Sequence, residues 1–328
     1  MKTQTDGIDR DILGFLKANR GNYVSGQEIC ENLGISRNAV WKHMKALKAA
    51  GYPIDAKSRK GYVLTQANSP FNAMEIESVL KTKFIGKDLH FMETTESTNS
   101  VAMELAKGGA AEGAAVISDS QKSGKGRMGR RWHSPPGVNI YTSVILRPRI
   151  APHSAPVLSL AAAVAVVEAI EAVSGIKASV KWPNDVQINS KKVSGILFEM
   201  ASDPDTVKHM AVGIGINVNM DAEKTPEDIR GLSTSLKKES GKEISRVEAV
   251  AALYFSLEKW YKIFLDKGNP QVLDAWRNCF NGKGKDIKVN GLSGAVEGVC
   301  EGIDSSGALL VRTKAGVTER IMAGDVSL

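Results

Sequence analysis

From Ser120 to Val167 the chain has no Asp or Glu, yet it carries Lys122, Lys125, Arg127, Arg130, Arg131, Arg147 and Arg149. Most of these cations crowd a glycine loop, Gly124-Lys-Gly-Arg-Met-Gly-Arg130, followed at once by Arg131-Trp-His-Ser-Pro-Pro-Gly137. The loop spells G-x-G-x-x-G, but a dinucleotide fold also needs a helix opening from the glycines and an acid about twenty residues on. Tandem prolines cannot continue an α-helix, and no acid occurs before Glu168. Nor is there a G-x-x-x-x-G-K-[ST] phosphate loop. The doubly wound architecture, and with it a redox-sensing repressor, is therefore disfavoured. A mobile basic loop that closes over anions remains, beside a plain solvated basic turn.

A length of 328 residues exceeds one compact core and calls for two or three domains. Cys30, Cys279 and Cys300 are odd in number and far apart, so neither a disulfide framework nor a thiolate metal site is indicated. Polar residues from Lys2 to Arg10 leave no room for a signal peptide, and a cytoplasmic location is expected. The longest nearly apolar run, Ala155 to Val167, is too short to span a bilayer and reads as a buried helix, so no membrane partner is expected.

The positive charge is concentrated at one end. Residues 1–66 hold eleven Lys or Arg against six Asp or Glu, which is +5 of the whole chain's +7. Ile8, Ile12, Leu13, Phe15 and Leu16 suggest one amphipathic helix, and Gly26–Leu33 a second. Gly34-Ile35 supplies a tight corner, and Ser36 caps a third helix from Arg37 to Ala50. Val40, Met44 and Leu47 share the core face of that helix, leaving Arg37, Asn38, Trp41, Lys42, Lys45 and Lys48 outside. Helix, corner and basic third helix form the layout of a helix-turn-helix. Tyr52 to Leu64 adds a hairpin whose tip, Lys57-Ser-Arg-Lys-Gly61, puts Arg59 and Lys60 where a wing touches phosphates. A regulatory or dimerisation domain with merely solvated lysines is the alternative. Ser36, Arg37, Asn38, Trp41, Lys42, Lys45, Arg59 and Lys60 are the candidate DNA contacts. Operator DNA is the expected partner, bound by a dimer reading two half-sites.

Gln66 to Pro70 has linker composition, and residues 67–278 follow a second pattern. A helix at 72–81 is followed by short apolar runs at 88–92, 114–118, 139–146, 178–182, 193–198 and 210–217, with a helix at 155–173 between them. Several strands succeed one another directly, which favours an α+β layer on a mixed or antiparallel sheet. Helices near 245–266 and 270–280 end the unit. Residues 279–328 change again, to short alternating stretches separated by glycines, the pattern of a small β-barrel.

Five ordered segments carry a resemblance: Glu96-Ser-Thr-Asn99, Asp119–Trp132, Lys181-Trp-Pro-Asn-Asp185, Lys191–Leu197 and Gly213–Val218. In order and spacing they resemble the biotin protein ligases, and the winged helix in front resembles the bifunctional members that also repress transcription. The resemblance spans all three domains. It implies a multidomain α+β chain with a winged helix-turn-helix, a central mixed-sheet ligase domain of class II synthetase-like or SH2-like kind, and a C-terminal SH3-like β-barrel. One departure is visible, since the family's loop commonly begins G-R-G-R and Lys125 stands here at the first arginine. Charge is kept, but bidentate contact is lost.

The chemistry implied has two steps. Biotin's carboxylate attacks the α-phosphate of ATP to give biotinyl-5'-AMP and pyrophosphate, and a lysine of an acceptor then takes the biotinyl group. The acceptor implied is the biotin carboxyl carrier domain of acetyl-CoA carboxylase or another biotin-dependent carboxylase. Bringing a carboxylate to a polyanion costs about 4 kcal/mol per like-charge pair 4 Å apart at an effective dielectric near 20. Lys125, Arg127 and Lys192, with Mg²⁺, offset that repulsion. By the same resemblance Ser97, Thr98, Asn99, Gln121 and Gly126 bind biotin's polar ring, together with Lys125, Arg127 and Lys192 near its carboxylate. Arg127, Arg130, Trp132, Asn184 and Asn217 serve ATP, with Trp132 packed on adenine. Asp185 is the expected partner of Mg²⁺ or of the acceptor lysine. A homodimer is expected when biotinyl-5'-AMP is bound. A non-catalytic sensing repressor and a lipoate or octanoate ligase are the alternatives.

Overall fold

The computed structural model describes residues 4–65, 70–291 and 294–327. Apart from Pro70, the expected linker at 66–70 lies outside the described residues. The chain divides into two compact units, Met1–Ser78 and Val79–Leu328.

The first unit contains α1 (Gln4–Ala18), α2 (Gly26–Leu33), α3 (Arg37–Ala49), a hairpin of β1 (Ile54–Lys57) and β2 (Gly61–Leu64), and most of α4 (Ala73–Val79). Its elements begin and end where local chemistry directs. Ser25 and Glu28 form a reciprocal capping box on α2, and Gly34 ends that helix in the left-handed region at φ 66°. Ser36 Oγ accepts the Ala39 N–H at the start of α3. Val40, Met44 and Leu47 are each at most 2% exposed and pack with Ile12, Leu16 and Ile29. The hairpin turns through Arg59 at φ 62° and Gly61 at φ 100°, and a Cβ on Gly61 would strike the Val24 backbone. Val24 and Tyr62 exchange both backbone hydrogen bonds at 2.8 Å, which pins the wing to the helices. Helix α4 is held by Glu75, whose carboxylate accepts from Lys17 Nζ at 2.7 Å and from the Tyr52 hydroxyl at 2.9 Å.

The second unit is built on a seven-stranded sheet. Its strands are β3 (Leu89–Thr95), β4 (Ala115–Gln121), β5 (Ile140–Leu146), β6 (Ser179–Lys181), β7 (Asp185–Ile188), β8 (Lys191–Ser202) and β9 (Val207–Ile216), in the order β3-β4-β5-β9-β8-β7-β6. Only β3 and β4 run parallel, so the sheet is mixed. Helix α5 (Thr98–Lys107) lies on one face, packing Ala102 and Ala106 on Val116, Ile145 and Ala211. On the other face lie α6 (Ala155–Ser174), which also packs on α8 (Arg246–Lys267) and α9 (Asn269–Cys279), with the short α7 (Leu236–Ser240) beside it. Tyr254 of α8 meets Thr142 of β5 across that interface, hydroxyl to hydroxyl at 2.6 Å. The apolar run at 155–167 is longer as a helix than as a run. With the turn before it, the segment Pro152–Ser174 has the length and composition to cross a membrane, contrary to the expectation from the shorter stretch. It is a core helix because most of it is buried, including all of Leu160 to Val167.

The C-terminal part is a five-stranded antiparallel sheet of β10 (Asp286–Gly291), β11 (Gly294–Ile303), β12 (Leu309–Thr313), β13 (Thr318–Ile321) and β14 (Asp325–Ser327), ordered β13-β12-β11-β10-β14. Trp182 fastens it to the larger sheet, its indole N–H donating to the Gly307 carbonyl at 3.0 Å.

Candidate functional site

Period-2 alternation divides β8 and β9 into a core side and a glycine side. On β9, Val212, Ile214 and Ile216 are buried on one side, while Ala211, Gly213 and Gly215 face α5 and the glycine loop. Register places Gly195 and Leu197 of β8, and Tyr141 and Ser143 of β5, beside these glycines. The glycines are needed for space. A Cβ on Gly215 would come within 2.5 Å of the Trp132 ring, one on Gly195 within 2.8 Å, and one on Gly213 would strike the Asn99 amide.

Over this floor opens a cavity of about 940 Å³. Ser97, Thr98, Asn99, Gln121, Lys125, Gly126, Arg127, Arg130, Trp132, Asn184, Asp185, Lys192 and Asn217 all line it, so residues spread over 120 positions of sequence meet in one place. The floor is polar at one end. Ser97, Thr98 and Asn99 open α5, all at most 4% exposed. Ser97 occupies the N-cap position but makes no side-chain cap bond. The Thr98 N–H donates to Gln121 Oε1 at 2.9 Å, and Asn99 Oδ1 accepts from Ser143 Oγ at 2.6 Å.

The glycine loop is a tight turn rather than a helix start. Lys125 bridges Arg131, Gly126 N–H donates to the Arg130 carbonyl at 2.7 Å, and Trp132 N–H to the Gly124 carbonyl at 2.8 Å. Met128 (φ 54°) and Gly129 (φ 73°) take the left-handed backbone that closes it. The steric demand falls harder on Gly124, where a Cβ would meet the Trp132 carbonyl, than on Gly126, whose nearest neighbour would be 3.2 Å away.

No acid lies within the loop or between it and Glu168 in sequence, but the fold delivers them from elsewhere. Lys125 Nζ reaches Glu199 Oε1 of β8 at 3.4 Å, Lys192 Nζ reaches Asp185 Oδ1 at 2.6 Å, and Arg130 pairs with Asp325 of β14. Arg127 donates to Asn184 Oδ1 at 3.0 Å. Burial draws the Arg127 guanidinium below its ordinary value, opposed by the carboxylates of Asp325 and Asp185. Such a half-buried cation interacts more strongly with an arriving anion than one in water. Lys192 Nζ also stands 5.4 Å from the Trp132 ring centroid. The Trp132 indole N–H is buried and finds no acceptor among the described residues. Asn217 has its amide tied internally, donating to the Thr234 carbonyl at 3.1 Å.

For Mg²⁺ the described residues hold no group of three His, Cys, Asp or Glu side chains. Asp185 alone, with the Asn184 amide beside it, fits a cation that arrives on phosphates and keeps most of its waters.

The candidate DNA contacts form a second, separate set. Ser36, Arg37, Asn38, Trp41, Lys42 and Lys45 are exposed on α3, with Arg59 and Lys60 exposed at the wing tip. Trp41 is 62% exposed, and Lys45 Nζ lies 5.6 Å from its ring. Arg37 is held by Gln27 Oε1 at 2.8 Å. His43, for which the sequence pattern carries no signal, is buried behind this face and bonded to Asp9 at 2.7 Å. Glu199, Ser143 and Asp325 join the cavity's surroundings without having stood out in sequence.

One chain thus joins a DNA-reading fold to a mixed sheet bearing a cationic loop over a polar-floored cavity. Family models match in that order. Residues 9–63 match an HTH domain, 91–217 the biotin/lipoate A/B protein ligase family and 284–328 the biotin protein ligase C-terminal domain. The chain is 39% identical over 321 residues to the bifunctional ligase/repressor BirA of Bacillus spizizenii, covering 98% of both. It is 30% identical over 308 residues to that of Escherichia coli, covering 94% of both. The biotin protein ligase of Aquifex aeolicus in complex with biotin and ATP superposes with a TM-score of 0.64 at 31% identity, covering 74% of this chain and 98% of that one. The chain belongs to the biotin protein ligase family.

Proposed function

We infer that this protein is an ATP-dependent biotin-[acetyl-CoA-carboxylase] ligase and a biotin-responsive repressor of biotin synthesis and transport genes. What carries the reading is one cavity in which the polar floor of Thr98, Asn99 and Gln121 lies beside the cations Lys125, Arg127 and Lys192. Biotin's ureido ring needs hydrogen-bond donors and acceptors, and its carboxylate and the ATP phosphates need positive charge. Both demands are met in the space of one ligand.

The polar ring of biotin seats against Thr98, Asn99 and Gln121, which points its carboxylate toward Arg127 and Lys192. These cations lower the repulsion between carboxylate and triphosphate and stabilise charge on the transferring phosphoryl group. The carboxylate attacks the α-phosphate, the bond to the bridging oxygen breaks, and pyrophosphate leaves. Arg130 and Asn184 hold the nucleotide, Asn217 lines its pocket with its amide kept on the Thr234 carbonyl, and Trp132 packs on its base. Asp185 and Asn184 would hold Mg²⁺, which supplies further neutralisation of the phosphates when bound. The acceptor lysine then attacks the mixed anhydride, AMP leaves, and the amine gives up its proton, to Asp185 where that carboxylate serves the lysine in place of Mg²⁺. The closed loop keeps water from the anhydride.

The winged helix reads operator DNA, and a dimer formed on biotinyl-5'-AMP supplies two copies of it. ATP, the carrier domain and free cysteines all suit a cytoplasmic protein. Lys192→Ala tests the chemistry: it is expected to abolish biotin-dependent pyrophosphate release while circular dichroism and melting stay near wild type. Normal release from a folded Lys192→Ala protein would remove the assigned role.

A further inference from the structure

The two ends of the glycine loop are joined through the cavity floor by one chain of polar contacts. It starts where Lys125 Nζ meets Glu199 Oε1 at 3.4 Å. The other oxygen of Glu199 accepts from Asn99 Nδ2 at 2.9 Å. Ser143 Oγ donates to Asn99 Oδ1 at 2.6 Å and lies 2.8 Å from Thr98 Oγ1. Thr98 donates to Gln121 Oε1, Gln121 Nε2 donates to Ser134 Oγ at 2.9 Å, and Ser134 Oγ donates to the Trp132 carbonyl at 2.9 Å. Lys125 is the second residue of the loop and Trp132 lies two residues past its end. Thr98, Asn99, Ser143 and Ser134 are buried, Ser143 at 0% and Ser134 at 7% exposure, with Gln121 half-buried between them, so water does not readily replace a contact broken at the serines.

We propose that Glu199 and Ser143 are positioning residues that make this chain the relay by which an occupied ring pocket holds the loop shut. The proposal rests on reading the pocket as that of biotin. A ligand with both donors and acceptors, inserted at Thr98, Asn99 and Gln121, fixes the orientation of each amide. The fixed Asn99 amide then presents its N–H to Glu199, whose carboxylate anchors Lys125. The fixed Gln121 amide holds Ser134, and so the Trp132 backbone. Neither Glu199 nor Ser143 touches the reacting atoms.

Trypsin cutting within the loop, after Lys125, Arg127, Arg130 and Arg131, reports its closure, and equilibrium dialysis reports biotin binding separately. Glu199→Gln keeps an acceptor for Asn99 and removes the negative charge that faces Lys125. Ser143→Ala leaves the ion pair and cuts the chain in its interior, and Ser134→Ala is a second interior cut. With biotin and ATP bound to the same occupancy, all three are expected to be cut roughly fivefold faster than liganded wild type. Melting curves of the intact proteins separate this from general loosening. If only Glu199→Gln loses protection, the contact is a local ion pair and the relay is wrong. Full protection in either folded serine variant likewise overturns it. A wild type that binds no biotin would refute the reading of the pocket. One that binds biotin without protecting its loop would refute the relay alone.

Discussion

Gly215 and Trp132 show how tightly single residues define the site. Gly215→Ala sets a methyl against the indole, and overpacking of this kind costs roughly 1–3 kcal/mol unless the ring moves. The expected outcome is a displaced ring, read as a shift in tryptophan emission, and a KM for biotin or ATP raised at least tenfold. An unchanged emission spectrum with an unchanged KM would contradict the packing. At this scale the motif residues were legible because their chemistry is local in sequence. Their partners were not, because pairing depends on register: Glu199 lies outside the quoted Lys191–Leu197 segment. Alternation from Gly195 and Leu197 was the available signal for it, since that period puts residue 199 on the same side. Asp325 offered no such signal, being brought to Arg130 only by the docking of the C-terminal sheet.

Helix α3 carries two functions on two faces. Met44→Ala empties the core face and is expected to lower stability by about 2–5 kcal/mol. Lys42→Ala, on the exposed face, should leave melting unchanged, weaken DNA binding evenly across sequences and reduce the salt slope by about one. Equal effects of the two variants on melting would contradict the assignment of faces. Much of this element was readable, because i, i+4, i+7 periodicity and the Ser36 cap are sequence properties. His43 was not, since its polarity argues for the surface and only the buried Asp9 explains its place. In the C-terminal sheet, the turn before β12 depends on Asp304. Burial raises that carboxyl's affinity for protons, but hydrogen bonds from Arg320, Ser306 and the Ala308 backbone outweigh it and bring the pKa from 3.8 to about 2. The stabilisation is present above the ordinary carboxylate value and is lost as pH falls from 3.8 towards about 2. Asp304→Asn should therefore destabilise the protein at neutral pH and flatten the acid limb of its pH–melting profile. An acid limb identical to wild type would contradict it.

Over the whole molecule, domain order was visible as changes of pattern: charged helices, irregular apolar runs, then glycine-spaced alternation. What the pattern did not reveal was connectivity within the sheet. β7 begins inside the Lys181–Asp185 motif and β5 pairs with β9 across about seventy residues, as the register shows. The glycine loop lost its apparent dinucleotide identity because strand β5, not a helix, follows its prolines. Two activities in one chain predict separable losses. Removing residues 1–65 should abolish operator binding in a gel-shift assay and leave biotin adenylation in place. Retained operator binding would show that the basic winged helix is not the DNA-reading surface.

In the function proposed above, the cation-lined cavity makes an acyl-adenylate of biotin and passes the biotinyl group to a protein lysine. Incubating the full chain with ATP, Mg²⁺ and labelled biotin, then adding a biotin carboxyl carrier domain, tests it most directly. Biotin-dependent pyrophosphate release followed by stable label on the carrier's lysine is the expected result. Biotin binding and operator binding with no pyrophosphate and no labelled carrier, or labelling by lipoate in place of biotin, would contradict it.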